Sequence, residues 1–168
     1  PYWTTDIGGF FRDQQSMNSL YDNQHTNPRY IELLTRWFQF GTFCPLFRIH
    51  GYCSDTEVWR YGADFEAMAR KFINLRYLLL PYIYSEAAKV TLNDELLMRP
   101  LPYEYPTDTY CQNITDQFLF GSSILVCPVT HENVAKREVY LPEGQWIDFW
   151  TGKQFEGNNQ ILADAPLE

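Results

Sequence analysis

Apolar residues follow two different rhythms along the chain, and the change between them falls near Asn93 to Met98. In the first part, Ile31, Leu34, Trp37 and Phe38 recur at helical spacing. That spacing predicts a helix over residues 29–40, with Gly41 as its stop. From Ala63, the positions Phe65, Met68, Phe72, Leu75 and Leu79 trace one face of a longer helix. Pro81 is expected to kink or end it, since proline lacks the N–H for the ladder and its ring collides with the preceding turn. The period resumes through Ile83, Tyr84 and Ala87 to Val90, and Asn93-Asp94 closes the helical half. That face reads as core, which leaves Arg70, Lys71 and Arg76 on a solvated or partner-facing side.

From Leu97 onward the apolar runs shorten and are punctuated by Pro and Gly: Leu97 to Tyr103, Gln117 to Phe120, Ser123 to Val129, Glu138 to Leu141, and Gln145 to Phe149. Such spacing predicts an antiparallel β domain, and Thr151-Gly152 between aromatic runs reads as a tight hairpin. The expected division is therefore residues 1–95 and residues 96–168.

Two short segments in the first part read as strands. Tyr2-Trp3-Thr4-Thr5 has β-favouring residues and runs into Asp6, followed by Ile7, Gly8 and Gly9. Cys44 to Ile49 is largely apolar and ends in Arg48-Ile49-His50-Gly51, the same strand, polar residue and glycine design. With the helix between them they form a strand, helix, strand unit. Parallel strands joined by a helix end on the same edge of a sheet, so Asp6 and His50 are expected to face one site. In barrels of alternating strands and helices, that edge is where catalytic and substrate-binding groups collect. The competing readings are a turn-forming or capping aspartate for Asp6 and a hydrogen-bonded structural histidine for His50. The equivalent placement of the two residues favours the functional reading of His50. The polar stretches Phe11 to Pro28 and Tyr52 to Gly62 read as loops, and loops as long as the first are usually functional.

Composition narrows the function classes. A chain of 168 residues with 45% hydrophobic content can fill one substantial core. Aromatic residues make up 17%, enough to fill that core with large rings and to offer surfaces for stacking against sugars. A net charge of −8 without clustered Lys or Arg speaks against nucleic-acid and anionic-membrane partners. No apolar run approaches the roughly 20 residues of a membrane span, and the N-terminus lacks the pattern of a signal peptide. Pro1 is an unnatural start, and the end at Ala165-Pro166-Leu167-Glu168 is expected to fall inside a continuing β domain. Cys44, Cys53, Cys111 and Cys127 form no Cys-x-x-Cys pair. They read mostly as buried free thiols, with no metal site and no cofactor implied. The sequon Asn113-Ile114-Thr115 would matter only in a secreted eukaryotic protein.

Several motifs together resemble the C-terminal part of the catalytic region of glycoside hydrolase family 31, the α-glucosidase and α-xylosidase group. They are Trp3-Thr4-Thr5-Asp6-Ile7-Gly8-Gly9-Phe10, Phe47-Arg48-Ile49-His50-Gly51, Leu75-Arg76-Tyr77-Leu78-Leu79-Leu80-Pro81-Tyr82-Ile83-Tyr84, Met98-Arg99-Pro100-Leu101, and Gln117-Phe118-Leu119-Phe120-Gly121 with Pro128-Val129. Tyr140-Leu141-Pro142-Glu143-Gly144-Gln145-Trp146 is similar to the family's strand-turn pattern. The resemblance implies an α/β plus all-β chain: the last strand-helix units of a (β/α)8 barrel, then an antiparallel β-sandwich domain, both incomplete. It implies a retaining α-glycosidase acting on terminal α-xylosyl or α-glucosyl residues, whose nucleophile and acid/base aspartates belong to upstream motifs absent here. No catalytic residue is therefore assigned in this chain.

By the same resemblance Asp6 matches a sugar-binding aspartate, His50 a histidine that also hydrogen-bonds the sugar, and Phe10 a pocket-lining aromatic. Trp3 and Arg48, in the same two motifs, are carried with them as substrate-binding candidates. The implied partners are an oligosaccharide and the upstream barrel of the same polypeptide. The Arg48-Ile49-His50-Gly51 form and the long polar loop look more like the bacterial α-xylosidase branch. A free-standing carbohydrate-binding module and part of an α-transglycosidase remain as alternative readings.

Overall fold

The two strands expected at Tyr2-Trp3-Thr4-Thr5 and Cys44 to Ile49 do not form as regular strands; the segments meet in one parallel bridge, Ile7 with Ile49, and the helical half of the molecule is packed around it. The computed structural model describes residues 2–10, 23–51 and 55–168. Helix α1, Pro28–Gly41, links the two bridge segments. It starts where Asn27 accepts hydrogen bonds from the N–H groups of Arg29 and Tyr30, with Pro28 in the first turn, where its missing N–H costs nothing. Its inner face buries Tyr30, Leu34 and Phe38 against Ile7.

The helix ends at Gly41 as expected, for a reason of packing and not of backbone freedom. Gly41 is the last residue of α1, and a Cβ there would lie 2.3 Å from Ile7 Cδ1. The missing side chain is what lets the helix end close on the bridge. Helix propensity alone favours Gly41→Ala by up to about 1 kcal/mol. Overpacking a site whose neighbour Ile7 is 1% exposed opposes it by about 1–3 kcal/mol. We expect the variant to be less stable, with a lower urea midpoint. A midpoint equal to or above that of the parent would mean that Ile7 moves aside freely.

Helices α2, Ala63–Leu78, and α3, Leu80–Asn93, replace the single long helix of the pattern, with the break at Leu79. Pro81 lies in the first turn of α3, so the ladder is interrupted just before it, where proline removes a donor. Phe65, Met68, Phe72 and Leu75 are buried as their spacing predicts, in one core with Ile7, Tyr30, Leu34 and Phe38. Asp94, in the left-handed region at φ 57°, ends α3.

Two expectations for these helices fail. Tyr84 is exposed, and the buried residue of α3 is Glu86. Arg76 is not a solvated charge. Its guanidinium donates to the carbonyls of Thr42, Cys44 and Pro45 at 2.6–2.8 Å and lies over the Phe120 ring. The turn after α1 leaves carbonyls without helical partners, and a long cation from α2 satisfies them. Burial lowers the Arg76 pKa and pushes the neighbouring Cys44 thiol up to about 12. Cys44, Cys111 and Cys127 are free thiols, the first two buried, while Cys53 lies outside the described residues.

The second half is antiparallel throughout. Strands β1 (Met98–Pro100), β2 (Phe118–Phe120) and β3 (Ile124–Val126) form one sheet in that order. Strand β4 (Lys136–Leu141) pairs with β7 (Asn159–Asp164), from Lys136 opposite Asp164 to Leu141 opposite Asn159. Strands β5 (Gln145–Ile147) and β6 (Gln154–Glu156) form a hairpin through the turn containing Thr151-Gly152. The run Leu97 to Tyr103 is strand only over β1. It continues as a helical turn, α4, Leu101–Glu104, with Pro102 in its first turn. Strand β7, whose apolar residues Ile161, Leu162 and Ala163 are consecutive and partly or fully exposed, lies outside the apolar runs that predict the other strands.

The two halves are sewn together by polar groups. On α1, Arg36 donates to the carbonyls of Val134, Ala165 and Pro166, and burial lowers its pKa. On α3, the Tyr82 hydroxyl donates to the Phe120 carbonyl, and Glu86 accepts from the Ser122 N–H and hydroxyl and from Lys89. Gly121, at φ +64°, makes this seam possible, because a Cβ there would lie 2.3 Å from the Tyr82 hydroxyl.

Candidate functional site

The parallel bridge sets the geometry of the site. Ile7 and Ile49 turn into the core, and the His50 N–H donates to the Ile7 carbonyl at 3.4 Å. Successive side chains in a strand alternate faces, so Asp6 and the pair Arg48 and His50 project to the other side. Asp6 and Arg48 each precede a bridge residue and are lateral neighbours. Arg48 Nη2 donates to Asp6 Oδ1 at 3.0 Å. His50 is stacked on Phe10, with ring centroids 4.9 Å apart and planes at 30°.

The backbone around Asp6 is held by α1 from both sides. Trp37 Nε1 donates to Thr5 Oγ1 at 3.2 Å, and the Tyr30 hydroxyl donates to the Gly8 carbonyl at 3.0 Å. Gly8 and Gly9 have φ of +95° and +85°, a region unfavourable to other residues, and the Gly9 N–H closes the turn on the Asp6 carbonyl. This turn carries Phe10 back over His50. The second segment is fastened to the first by Thr4 Oγ1 donating to the Leu46 carbonyl and by the Leu46 N–H donating to the Trp3 carbonyl.

Four of the five residues named from the sequence thus come together in two pairs, Asp6 with Arg48 and Phe10 with His50. Trp3 is half exposed, and its ring lies 6.2 Å from that of Phe40, near the end of α1. Its backbone helps to hold the two bridge segments together. The polar stretch Phe11 to Pro28 is described only from Asn23, and residues 11–22 and 52–54 lie outside the described residues.

What is described of the two loops reveals contacts that no sequence pattern signalled. The Asp55 carbonyl receives Gln24 Nε2 and the Tyr61 hydroxyl and lies 3.0 Å from His25 Nε2. The chain from Asp55 is thereby pinned beside the site. Thr56 Cγ2 lies 3.1 Å from where a Cβ on Gly51 would stand, so Gly51 is the residue that gives this loop room. The Asp55 carboxylate is paired with Arg60.

Chemically, the cluster offers one carboxylate, one guanidinium and one imidazole under an aromatic ring. These groups suit the hydroxyls of a polar ligand and an apolar ring face. Among the described residues no group of three or more His, Cys, Asp or Glu side chains is arranged to hold a metal ion.

Comparison with known proteins gives a consistent result in both halves. Residues 1–86 match the glycosyl hydrolases family 31 TIM-barrel domain, and residues 94–168 match the glycosyl hydrolase family 31 C-terminal domain. An alpha-xylosidase of Saccharolobus solfataricus is 40% identical over 169 residues, covering 100% of this chain and 22% of that protein. Alpha-glucosidase 2 of Bacillus thermoamyloliquefaciens is 41% identical over 140 residues, covering 82% of this chain and 18% of that protein. The crystal structure of a family 31 alpha-xylosidase from a soil metagenome, complexed with xylose, superposes with a TM-score of 0.88 at 36% identity. It covers 99% of this chain and 26% of that one. The chain therefore spans about a fifth of the length of these curated relatives.

Proposed function

The chain belongs to family 31 of the glycosyl hydrolases, as part of its TIM-barrel domain followed by its C-terminal domain, and we propose that it is the sugar-holding part of a retaining α-glycosidase. The substrate is a terminal α-xylosyl or α-glucosyl residue of an oligosaccharide. Asp6, Arg48, His50 and Phe10 serve the pocket, with Trp3 at its edge. The nucleophile and the acid/base are supplied by upstream strands. Residues 1–95 are the closing units of the (β/α)8 barrel, and residues 96–168 belong to a β-sandwich beside it. The observation that carries this reading is the bridge between Ile7 and Ile49, with the side chains of Asp6, Arg48 and His50 on its open side.

A retaining glycosidase needs two carboxyl groups about 5 Å apart across the scissile bond. Asp6 supplies one carboxylate and cannot fill both roles. What it and His50 can do is bind hydroxyls whose hydrogen bonds strengthen as the ring flattens toward an oxocarbenium ion. The 168-residue chain alone is therefore expected to leave an aryl α-xyloside and an aryl α-glucoside unhydrolysed, at the rate of the buffer control. Measurable turnover by the purified chain would refute the assignment. Calorimetric titration with xylose-containing oligosaccharides separates this reading from a free-standing binding module, which alone predicts saturable heat.

A further inference from the structure

We infer that Arg48 is a positioning residue that orients the Asp6 carboxylate, and not itself a ligand of the sugar; the inference rests on the sugar-binding reading of Asp6. Three observations carry it. The parallel register makes Asp6 and Arg48 lateral neighbours across the bridge, and Arg48 Nη2 donates to Asp6 Oδ1 at 3.0 Å. Among the described residues, that is the hydrogen bond made by the Asp6 carboxylate. It engages one oxygen and leaves Oδ2 with its lone pairs for a hydroxyl.

The pair is also open to solvent, with the side chains 53% and 35% exposed. An ion pair this exposed adds little to the stability of a fold. Its effect lies in orientation. The turn Asp6-Ile7-Gly8-Gly9 fixes the backbone of Asp6 through the Gly9 N–H, but two glycines provide no side-chain wall against which the carboxylate could rest. Arg48 reaches from the adjacent segment and supplies that wall as a hydrogen bond. Its contribution to catalysis therefore runs through Asp6.

A double-mutant cycle tests this in the complete enzyme, with Arg48→Met, Asp6→Ala and the pair assayed on an aryl α-xyloside and an aryl α-glucoside. Misplacing a substrate-binding group lowers rate steeply, so Arg48→Met should reduce kcat/KM by about 10- to 100-fold. The loss should fall mainly on kcat, with the thermal midpoint near that of the parent. In the Asp6→Ala background the same change should cost less than about twofold, because nothing is left to orient. Arg48→Lys, which keeps a donor within reach of Asp6, should recover part of the loss.

Equal losses in the presence and absence of Asp6 would overturn the inference and make Arg48 a sugar ligand in its own right. A fall in thermal midpoint parallel to the fall in activity, unrelieved by Arg48→Lys, would overturn it in favour of a structural role. Parent-like kcat/KM in Asp6→Ala itself is the distinct outcome in which the sugar-binding reading fails.

Discussion

Asp6→Ala, placed in the complete enzyme, is expected to lower kcat/KM by about 100-fold or more, a loss of about 3 kcal/mol in transition-state binding. The carboxylate is argued to hold a sugar hydroxyl and not to attack the anomeric carbon. The deficit should therefore spread over glycosyl transfer to the nucleophile and release from it, leaving the covalent glycosyl-enzyme able to form. Trapping with a slow fluorinated glycosyl donor and intact-protein mass spectrometry reads this directly. The mutant should gain the mass of one glycosyl unit, more slowly than the parent. Complete absence of the adduct, with parent-like folding, would make Asp6 a catalytic carboxylate and overturn the sugar-binding role.

The largest effect on stability is expected at Arg99. Its side chain is 7% exposed and faces three carboxylates. It bonds Glu95, reaches Glu104 at 3.2 Å, lies 3.6 Å from Glu86, and donates through Nε to the Leu96 carbonyl. Glu86 is itself 4% exposed. Removing Arg99 leaves the buried Glu86 with Lys89 as its one remaining cation and takes from Glu95 and Glu104 the guanidinium that lies between the three carboxylates. Breaking a buried ionic cluster by deleting one partner costs about 3–5 kcal/mol. For Arg99→Met we expect a loss of that size in chemical denaturation at neutral pH. Glu86→Gln added to Arg99→Met should restore part of it.

The pH dependence has a definite sign. The hydrogen bond from Arg99 is the leading cause that holds Glu95 below its ordinary value. A carboxylate with a depressed folded pKa contributes stability above its unfolded pKa and loses it as pH falls through the folded one. The penalty of Arg99→Met should therefore be largest at neutral pH and shrink in acid below about pH 4. A penalty that is constant between neutral and acidic pH would mean that packing, not charge, makes Arg99 important.

Much of the helical half was legible in the sequence because its signals are local. The spacing of Ile31, Leu34, Trp37 and Phe38 marks α1, that of Phe65, Met68, Phe72 and Leu75 marks the buried face of α2, and Pro81 marks the interruption, whereas the Asn27 cap and Pro28 start of α1 read as loop. The candidate motif was legible for a similar reason, since an extended run, a carboxylate and two glycines describe a segment with a tight exit. What misled was polarity taken one residue at a time. Arg76 looks like a surface charge until the carbonyls after α1 need a donor. Glu86 sits among Ile83, Ala87 and Val90 yet is the buried residue of α3, because the Gly121 turn brings the Ser122 N–H and hydroxyl to it. Gly41 does end α1, but what requires glycine there is Ile7, which fills the space a side chain would occupy.

By itself the sequence determined the helices, the antiparallel character of the second half, the family, and the two extended segments that carry Asp6 and His50, which meet in a single parallel bridge and not as regular strands. Those are consequences of spacing within about a dozen residues, where chain connectivity already fixes which groups are neighbours. The tertiary structure decided which side chains meet. Asp6 and Arg48 are 42 residues apart and become partners only because Ile7 and Ile49 pair in parallel register; a slip of one residue would turn Arg48 to the core face. Phe10 reaches His50 only through the turn at Gly8 and Gly9. The pairing of the Asp6 carboxylate with the Arg48 guanidinium is thus a property of register, which no single segment of the chain contains.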